Sequence, residues 1–166
     1  MKIEFGGGSN PIKPNYLQVD IRQIDQNTIV CNAWEIDQKV KPGTVTDIFS
    51  RHFFEHLTHS QAKRTLEAWH TICAHGARVE LICPNMKKHL WQWQNWKDLT
   101  EAEKDHCRAG LWGWQRESDH SSWDLHKSGY DFAKLQELVT AHKFKNIKKL
   151  IDDGIDQNHL WVEFYR

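Results

Sequence analysis

A short apolar run, Ile3-Glu4-Phe5, closes on three glycines, Gly6-Gly7-Gly8, and the next apolar run, Tyr16-Leu17-Gln18-Val19, ends in Asp20. No other feature restricts the fold as strongly. A strand that stops in glycines lets backbone come close to a ligand, because glycine has no Cβ and tolerates positive φ. An acid at the tip of the neighbouring strand can accept both hydroxyls of a ribose. The two features belong together at the carboxyl edge of a parallel sheet, where nucleoside-containing cofactors bind.

The rest of the chain alternates strand-like and helix-like segments, which predicts an α/β fold. Strands are expected at about 2–5, 17–21, 28–32, 45–49, 78–83, 145–151 and 159–165. Thr58 and Gln61 form a capping-box pair that starts a helix, and Gly76 supplies its stop; Ala62, Leu66, Trp69 and Cys73 share one face. A second helix is predicted over 131–142, with Phe132, Leu135, Leu138 and Val139 inward. The last two strands, joined by the Gly-containing loop Asp152 to Asn158, read as an antiparallel hairpin.

The links between the first three strands are short. Ser9 to Asn15 carries Pro11 and Pro14, and Arg22 to Asn27 is no longer. A parallel crossover ordinarily needs a dozen or more residues, usually a helix. One face of the sheet is therefore expected to lack its helices. Parallel sheets are covered on both faces, so the aromatic segment from Trp91 to Trp123, or a second copy of the chain as a homodimer, is expected to cover the bare one. That segment holds six of the nine tryptophans.

Composition narrows the partners. The 22 basic and 22 acidic residues cancel, which gives no electrostatic footprint for nucleic acid or an anionic membrane. No apolar stretch approaches a membrane span and the N-terminus has no leader pattern, so a cytoplasmic location is expected. Cys31, Cys73, Cys83 and Cys107 are scattered and read as reduced thiols. At 166 residues and 39% hydrophobic content the chain predicts one domain, 1–166, with an aromatic-rich insertion over about 86–128.

With these residues in view, the chain resembles class I S-adenosylmethionine-dependent methyltransferases, most of all a short bacterial group of them, over nearly its whole length. Glu4-Phe5-Gly6-Gly7-Gly8 stands where that family has its acid-x-Gly-x-Gly loop, and Val19-Asp20 where it has its ribose-binding acid. Ile29 to Trp34 resembles the segment whose end contacts adenine. Asp47 to Leu57 resembles the fourth strand and the loop after it, Gly76 to Asn85 the fifth strand with its proline, and His126 to Tyr130 a further segment of the group. The resemblance implies a Rossmann-like, mainly parallel seven-stranded sheet with a C-terminal antiparallel hairpin and helices reduced on one face. It implies S-adenosylmethionine as cofactor, held by Glu4, Gly6, Gly7, Gly8, Asp20, Asn32, Ala33 and Ser50, with Glu4, inside a strand, accepting from loop amides or from the cofactor's amino group. Asn32 departs from the acid of many relatives, but its amide oxygen can still accept from the adenine amino group. The nearly absent first helix is a second departure.

The acceptor side is read from residue types. His52, just past the fourth strand, is the candidate general base for an O or N nucleophile, against a plain structural histidine. Arg51 suits a carboxylate or phosphate of the substrate, or a surface salt bridge. His126 and Tyr130, with Trp112, Trp114 and Trp123, can contact a planar or sugar-like acceptor, or simply fill the core. A small molecule or glycan is expected rather than nucleic acid. His52-Phe53-Phe54-Glu55-His56 also spells an inverted zinc-protease motif, which needs both histidines on one helix. Here they precede the capping box, no third ligand is locatable, and no metal is expected. The alternative to an enzyme is a degenerate methyltransferase-like assembly module, because fold alone does not establish activity.

Overall fold

The computed structural model describes residues 1–115, 124–151 and 157–166. Trp123 and most of the expected hairpin loop lie outside them. In chain order the elements are β1 (Lys2–Phe5), β2 (Leu17–Asp20), β3 (Ile29–Val30), β4 (Val45–Arg51), α1 (His59–Ile72), β5 (Cys73–Pro84), α2 (Met86–Gln94), α3 (Glu101–Trp112), α4 (Phe132–Ala141), β6 (Lys145–Lys149) and β7 (His159–Tyr165). A 3₁₀ turn, Ala33–Gln38, follows β3, and another, Phe54–His56, follows β4.

The seven strands form one sheet in the order β3-β2-β1-β4-β5-β7-β6. The first five are parallel, and β7 runs antiparallel to both β5 and β6. This is the mainly parallel sheet with an antiparallel C-terminal pair that the sequence predicts. Strand order reverses between β1 and β4. In an open α/β sheet a ligand crevice opens there, beyond the strands' carboxyl ends.

Local sequence explains most element boundaries. Both bonds of the α1 capping box are made, Gln61 N to Thr58 Oγ1 at 3.3 Å and Thr58 N to Gln61 Oε1 at 2.9 Å. Ala62, Leu66 and Trp69 are buried as the helical period requires, with the Trp69 ring 4.9 Å from Phe5 and 5.9 Å from Phe54. The helix ends at Ile72, earlier than Gly76. Cys73 already pairs with Val45, and β5 has begun before Gly76, whose φ of +75° falls at an irregularity in the β4–β5 register. Helices α2 and α3 add to the two predicted. Thr100 and Glu103 form a second complete capping box, a signal present in the sequence.

Successive strand residues face opposite sides, and the two faces differ in kind. On the first, Ile3, Phe5, Val19, Ile48, Val79, Leu81, Val162 and Phe164 join α1, α4 and the Ala33–Gln38 turn in one core. On the second, the register lines up Gln18, Glu4, Phe49, Glu80, Glu163 and Lys148 across six strands. Arg78 reaches Glu80 at 2.9 Å and Glu163 at 2.7 Å, and Lys148 reaches Glu163 at 2.8 Å. Tyr165 and Trp161 donate to Glu163 and Glu80.

Among the described residues no helix links β1 to β2 or β2 to β3, so the reduction of helices on one face is as expected. Part of that face is covered from within the chain. The link from β1 to β2 lies over the second face: Ile12 N and Lys13 N donate to the Glu4 carboxylate at 3.0 and 2.9 Å, and the Lys13 ammonium sits 4.6 Å from the Phe49 ring centroid. The aromatic segment instead continues from the carboxyl end of β5, and α2 and α3 pack on each other. Trp93 lies 5.2 Å from Trp96 and 5.0 Å from Trp112. The buried carboxylates of this row take ionic and hydrogen-bonding partners, and the polar link supplies them to Glu4 and, through Lys13 at 3.6 Å, to Glu80.

The charge row sets a measurable dependence. Its hydrogen bond from Lys148, with those from Arg78 and Tyr165, holds the Glu163 carboxyl down at about 2. A depressed acid stabilises the fold above its unfolded value of about 4.5, and that contribution is lost as pH falls from there toward 2. Arg78→Met, which strips two buried carboxylates of their guanidinium, is expected to cost about 3 kcal/mol in urea unfolding at pH 7. The deficit should shrink at pH 3. A cost under about 1 kcal/mol at pH 7 would show that the row does not support the sheet.

Candidate functional site

The carboxyl ends of β1, β2, β3 and β4 open onto a cavity of about 290 Å³, at the lower end of small-ligand sites (about 300–1,000 Å³). Each strand end supplies a different chemistry. From β3 come Cys31, Asn32, Ala33 and Trp34; from β2, Asp20 and its successors Ile21 and Arg22; from β1, Phe5 and Gly6; from the β4 end, His52, Phe53 and His56. Gly6 has φ +71°, and a Cβ there would sit 2.7 Å from Phe53. Only glycine turns the chain at this point while leaving Phe53 in place.

Polar groups in this cavity are oriented. Asp20 Oδ1 accepts from the Arg22 backbone N–H at 2.9 Å and from its Nε at 3.2 Å, while Oδ2 has no hydrogen-bond partner among the described residues. Asn32 Nδ2 donates to Glu35 at 2.9 Å, which leaves Oδ1 as an acceptor. Burial raises the Cys31 thiol, so it stays protonated.

His52 is held in an uncommon conformation. Its φ is +48°, a left-handed backbone that costs a non-glycine residue energy and persists where surroundings enforce it. Its backbone N–H donates to the Ile82 carbonyl at 3.0 Å, and its Nδ1 lies 3.2 Å from Oε1 of Glu55, which has no exposed surface. A carboxylate only accepts, so Nδ1 is the donor in this bond, and in the neutral ring Nε2 then carries the lone pair.

A second cavity, about 380 Å³, adjoins the first and shares His52, His56 and Asp124 with it. Its wall carries Arg51 and six histidines: His52, His56, His89, His106, His126 and His159. Arg51 makes no ion pair among the described residues. The His52 and His159 rings are 4.8 Å apart, and those of His56 and His126 are 5.0 Å apart. Burial lowers the affinity of His126 and His159 for a proton, and for His159 the neighbouring His52 and Arg51 add to this.

The fold thus brings Gly6, Asp20, Asn32, Ala33 and His52 into the first cavity and Arg51, His52 and His126 into the second. Other predicted site residues lie elsewhere. Glu4 gives its carboxylate to the Ile12 and Lys13 amides and to Gln18. Gly7 backs onto Glu4 and Gln18, where a Cβ would collide with Gln18 Oε1. Gly8 lines neither cavity, and Ser50 is fully buried within β4. Tyr130 is in the core, its ring 5.4 Å from Phe54 and its hydroxyl pushed up to about 12 by burial. Of the tryptophans suggested for acceptor contact, Trp114 lines the second cavity and Trp112 does not. Sequence reasoning missed Glu55 as the partner of His52, although the pair is only three residues apart. It also missed the histidine cluster, whose members come from five separate segments.

No protein-family profile matches the sequence, and no curated protein is similar to it. Solved structures are similar to it in fold. A S-adenosylmethionine-dependent methyltransferase from Archaeoglobus fulgidus superposes with a TM-score of 0.65 at 14% identity, over 99% of this chain and 85% of that one. One from Methanosarcina mazei gives 0.64 at 14% identity, over 99% and 89%. Human N-acetylserotonin methyltransferase in complex with S-adenosylmethionine gives 0.60 at 7% identity, over 99% of this chain and 47% of that one. The chain has the fold of class I S-adenosylmethionine-dependent methyltransferases.

The histidine cavity predicts an acid-sensitive fold. Burial lowers His89 from 6.5 to about 4, opposed in part by its bond to Gln92 and reinforced by His106 and His159 nearby. Between those values the unfolded chain binds the extra proton, so stability is complete above about pH 6.5 and falls as pH drops toward 4. The contribution is on the order of 3 kcal/mol. The melting temperature should fall between pH 7 and pH 5, and His89→Gln should flatten that dependence. An unchanged slope in the variant would remove His89 as its source.

Proposed function

We propose that the chain is a S-adenosylmethionine-dependent methyltransferase acting on an O or N nucleophile of a small molecule or glycan. The observation that carries this reading is His52: it stands in the wall common to both cavities, in a left-handed backbone conformation, with its imidazole oriented by a fully buried carboxylate.

The first cavity fits the cofactor by its donor set. Val19, Ile21, Ala33 and Trp34 offer apolar walls to an adenine, the free Asn32 Oδ1 an acceptor to its amino group, and Asp20 Oδ2 an acceptor to ribose hydroxyls. When bound, S-adenosylmethionine supplies a methyl group on a positively charged sulfur that is already a good leaving group. The protein's task is then alignment, with base catalysis where the nucleophile carries a proton. His52 Nε2 accepts that proton from the acceptor's O–H or N–H, and Glu55 holds the ring in the tautomer that allows it. Arg51, which lines the second cavity and makes no ion pair among the described residues, suits an anionic group on the acceptor. The modest volume of that cavity, about 380 Å³, and the balanced charge of the chain favour a small acceptor or a glycan end over nucleic acid.

One observation favours a second reading, a module that binds the cofactor weakly and assembles with a partner. Among the described residues the glycines of residues 6–8 lead into no helix, so no helix N-terminus directly after the first strand complements a ligand there.

Titration calorimetry separates the two. Micromolar binding of S-adenosylmethionine and S-adenosylhomocysteine, about −8 kcal/mol, is expected, and Asp20→Ala should abolish it. Wild-type protein that binds neither compound would favour the module. With an acceptor found by methyl-incorporation screening, His52→Ala should slow turnover by about 10²–10⁴-fold and leave cofactor affinity within about threefold. Equal losses in both would reduce His52 to a structural residue.

A further inference from the structure

Glu55, His56 and His126 converge from two distant parts of the chain. One ligand-type atom of each lies within 4.8 Å of the others. His56 sits in the 3₁₀ turn after β4, and His126 in the segment that crosses back over it. That segment is tied to the turn by Lys127 N and Ser128 N, which donate to the Glu55 carbonyl at 2.9 and 3.0 Å.

Three features make this more than an accidental cluster. First, both histidines are fixed in the same tautomer. His56 Nδ1 lies 3.1 Å from the Leu125 carbonyl and His126 Nδ1 2.9 Å from the Gly110 carbonyl. A carbonyl only accepts, so each Nδ1 carries hydrogen and each Nε2 presents a lone pair. Backbone bonding at one ring nitrogen is how proteins orient metal-binding histidines. Second, Glu55 has no exposed surface; its Oε1 lies 4.0 Å from His126 Nε2 and 3.2 Å from His52 Nδ1, and its Oε2 has no hydrogen-bond partner among the described residues. A buried acceptor without a donor costs free energy, and a cation would remove that cost. Third, His56 lines both cavities and His126 the second, so an ion has a route in.

We propose that Glu55, His56 and His126 form a site for one divalent transition-metal ion, zinc by its donor chemistry. Two imidazoles and one carboxylate are a donor set of zinc centres that keep their fourth position open. Zinc bonds of about 2.0–2.2 Å hold ligand atoms about 3.4 Å apart, so an inward side-chain movement of about 1 Å closes the set. The open position adjoins the second cavity, where a metal ion lowers the proton affinity of a bound oxygen. The site does not rest on the methyl-transfer reading, and its test contains no S-adenosylmethionine.

The test is metal binding by the full chain after chelator dialysis. Zinc is titrated against a competing fluorescent chelator, and cobalt(II) is read by its visible ligand-field absorption. Wild type should bind one equivalent of zinc and give the absorption of a four-coordinate cobalt site. His126→Ala and His56→Ala should each weaken zinc binding by at least about 100-fold and abolish the cobalt bands. His75→Ala, remote in sequence and exposed, should retain both. Circular dichroism checks the fold of each variant; should His126→Ala unfold, the partly exposed His56→Ala decides. Failure of the wild type to bind a stoichiometric ion overturns the proposal, as does binding that survives both histidine substitutions.

Discussion

A carboxylate with no exposed surface, Glu55, is the point on which the carboxyl edge of this sheet depends. Its backbone carbonyl receives two amides from the returning segment 124–130, and its side chain fixes the imidazole of His52. Burying an acid is costly unless its oxygens are bonded, so Glu55 constrains everything around it. The turn Phe54–His56 must present it inward, and His52 must take a positive φ to reach it. The segment carrying His126 must pass directly overhead. The wall between the two cavities is the product of these requirements.

The sheet solves a second problem by similar means. A parallel sheet ordinarily hides both faces under crossover helices, yet the links from β1 to β2 and β2 to β3 are too short to hold them. The strands answer by alternating apolar and ionic residues, so that one face packs on α1 and α4 while the other carries the Glu4, Glu80 and Glu163 row. Glu4 then captures the amides of Ile12 and Lys13, and the link itself covers that part of the face. Of the two roles open to Glu4 from the sequence, bonding loop amides or the cofactor's amino group, the fold displays the first, through the Ile12 and Lys13 amides.

What could be read from the sequence followed short-range physics. The strand runs, the capping box at Thr58 and the inward face of α4 are set by residues within a few positions of one another. The glycine turn at Gly6 and the acid at Asp20 were legible for the same reason, each closing a short apolar strand run within a few residues. The errors also have local causes. Gly76 looked like a helix stop but lies inside β5, because pairing of Cys73 with Val45 wins over one more helical turn. The Thr100–Glu103 box was present and unused, hidden in a segment whose tryptophans suggested a lid over the sheet.

The sequence by itself determined the strands, their mainly parallel arrangement and the edge where a ligand belongs, since periodicity, turn residues and link lengths act over short distances along the chain. Only the tertiary structure decided which residues meet at that edge. Six histidines from five segments share one cavity, Glu55 pairs with His52 and faces His126, and Tyr130 is withdrawn into the core. Contacts between residues far apart in sequence depend on how whole elements pack, and no local pattern records that geometry.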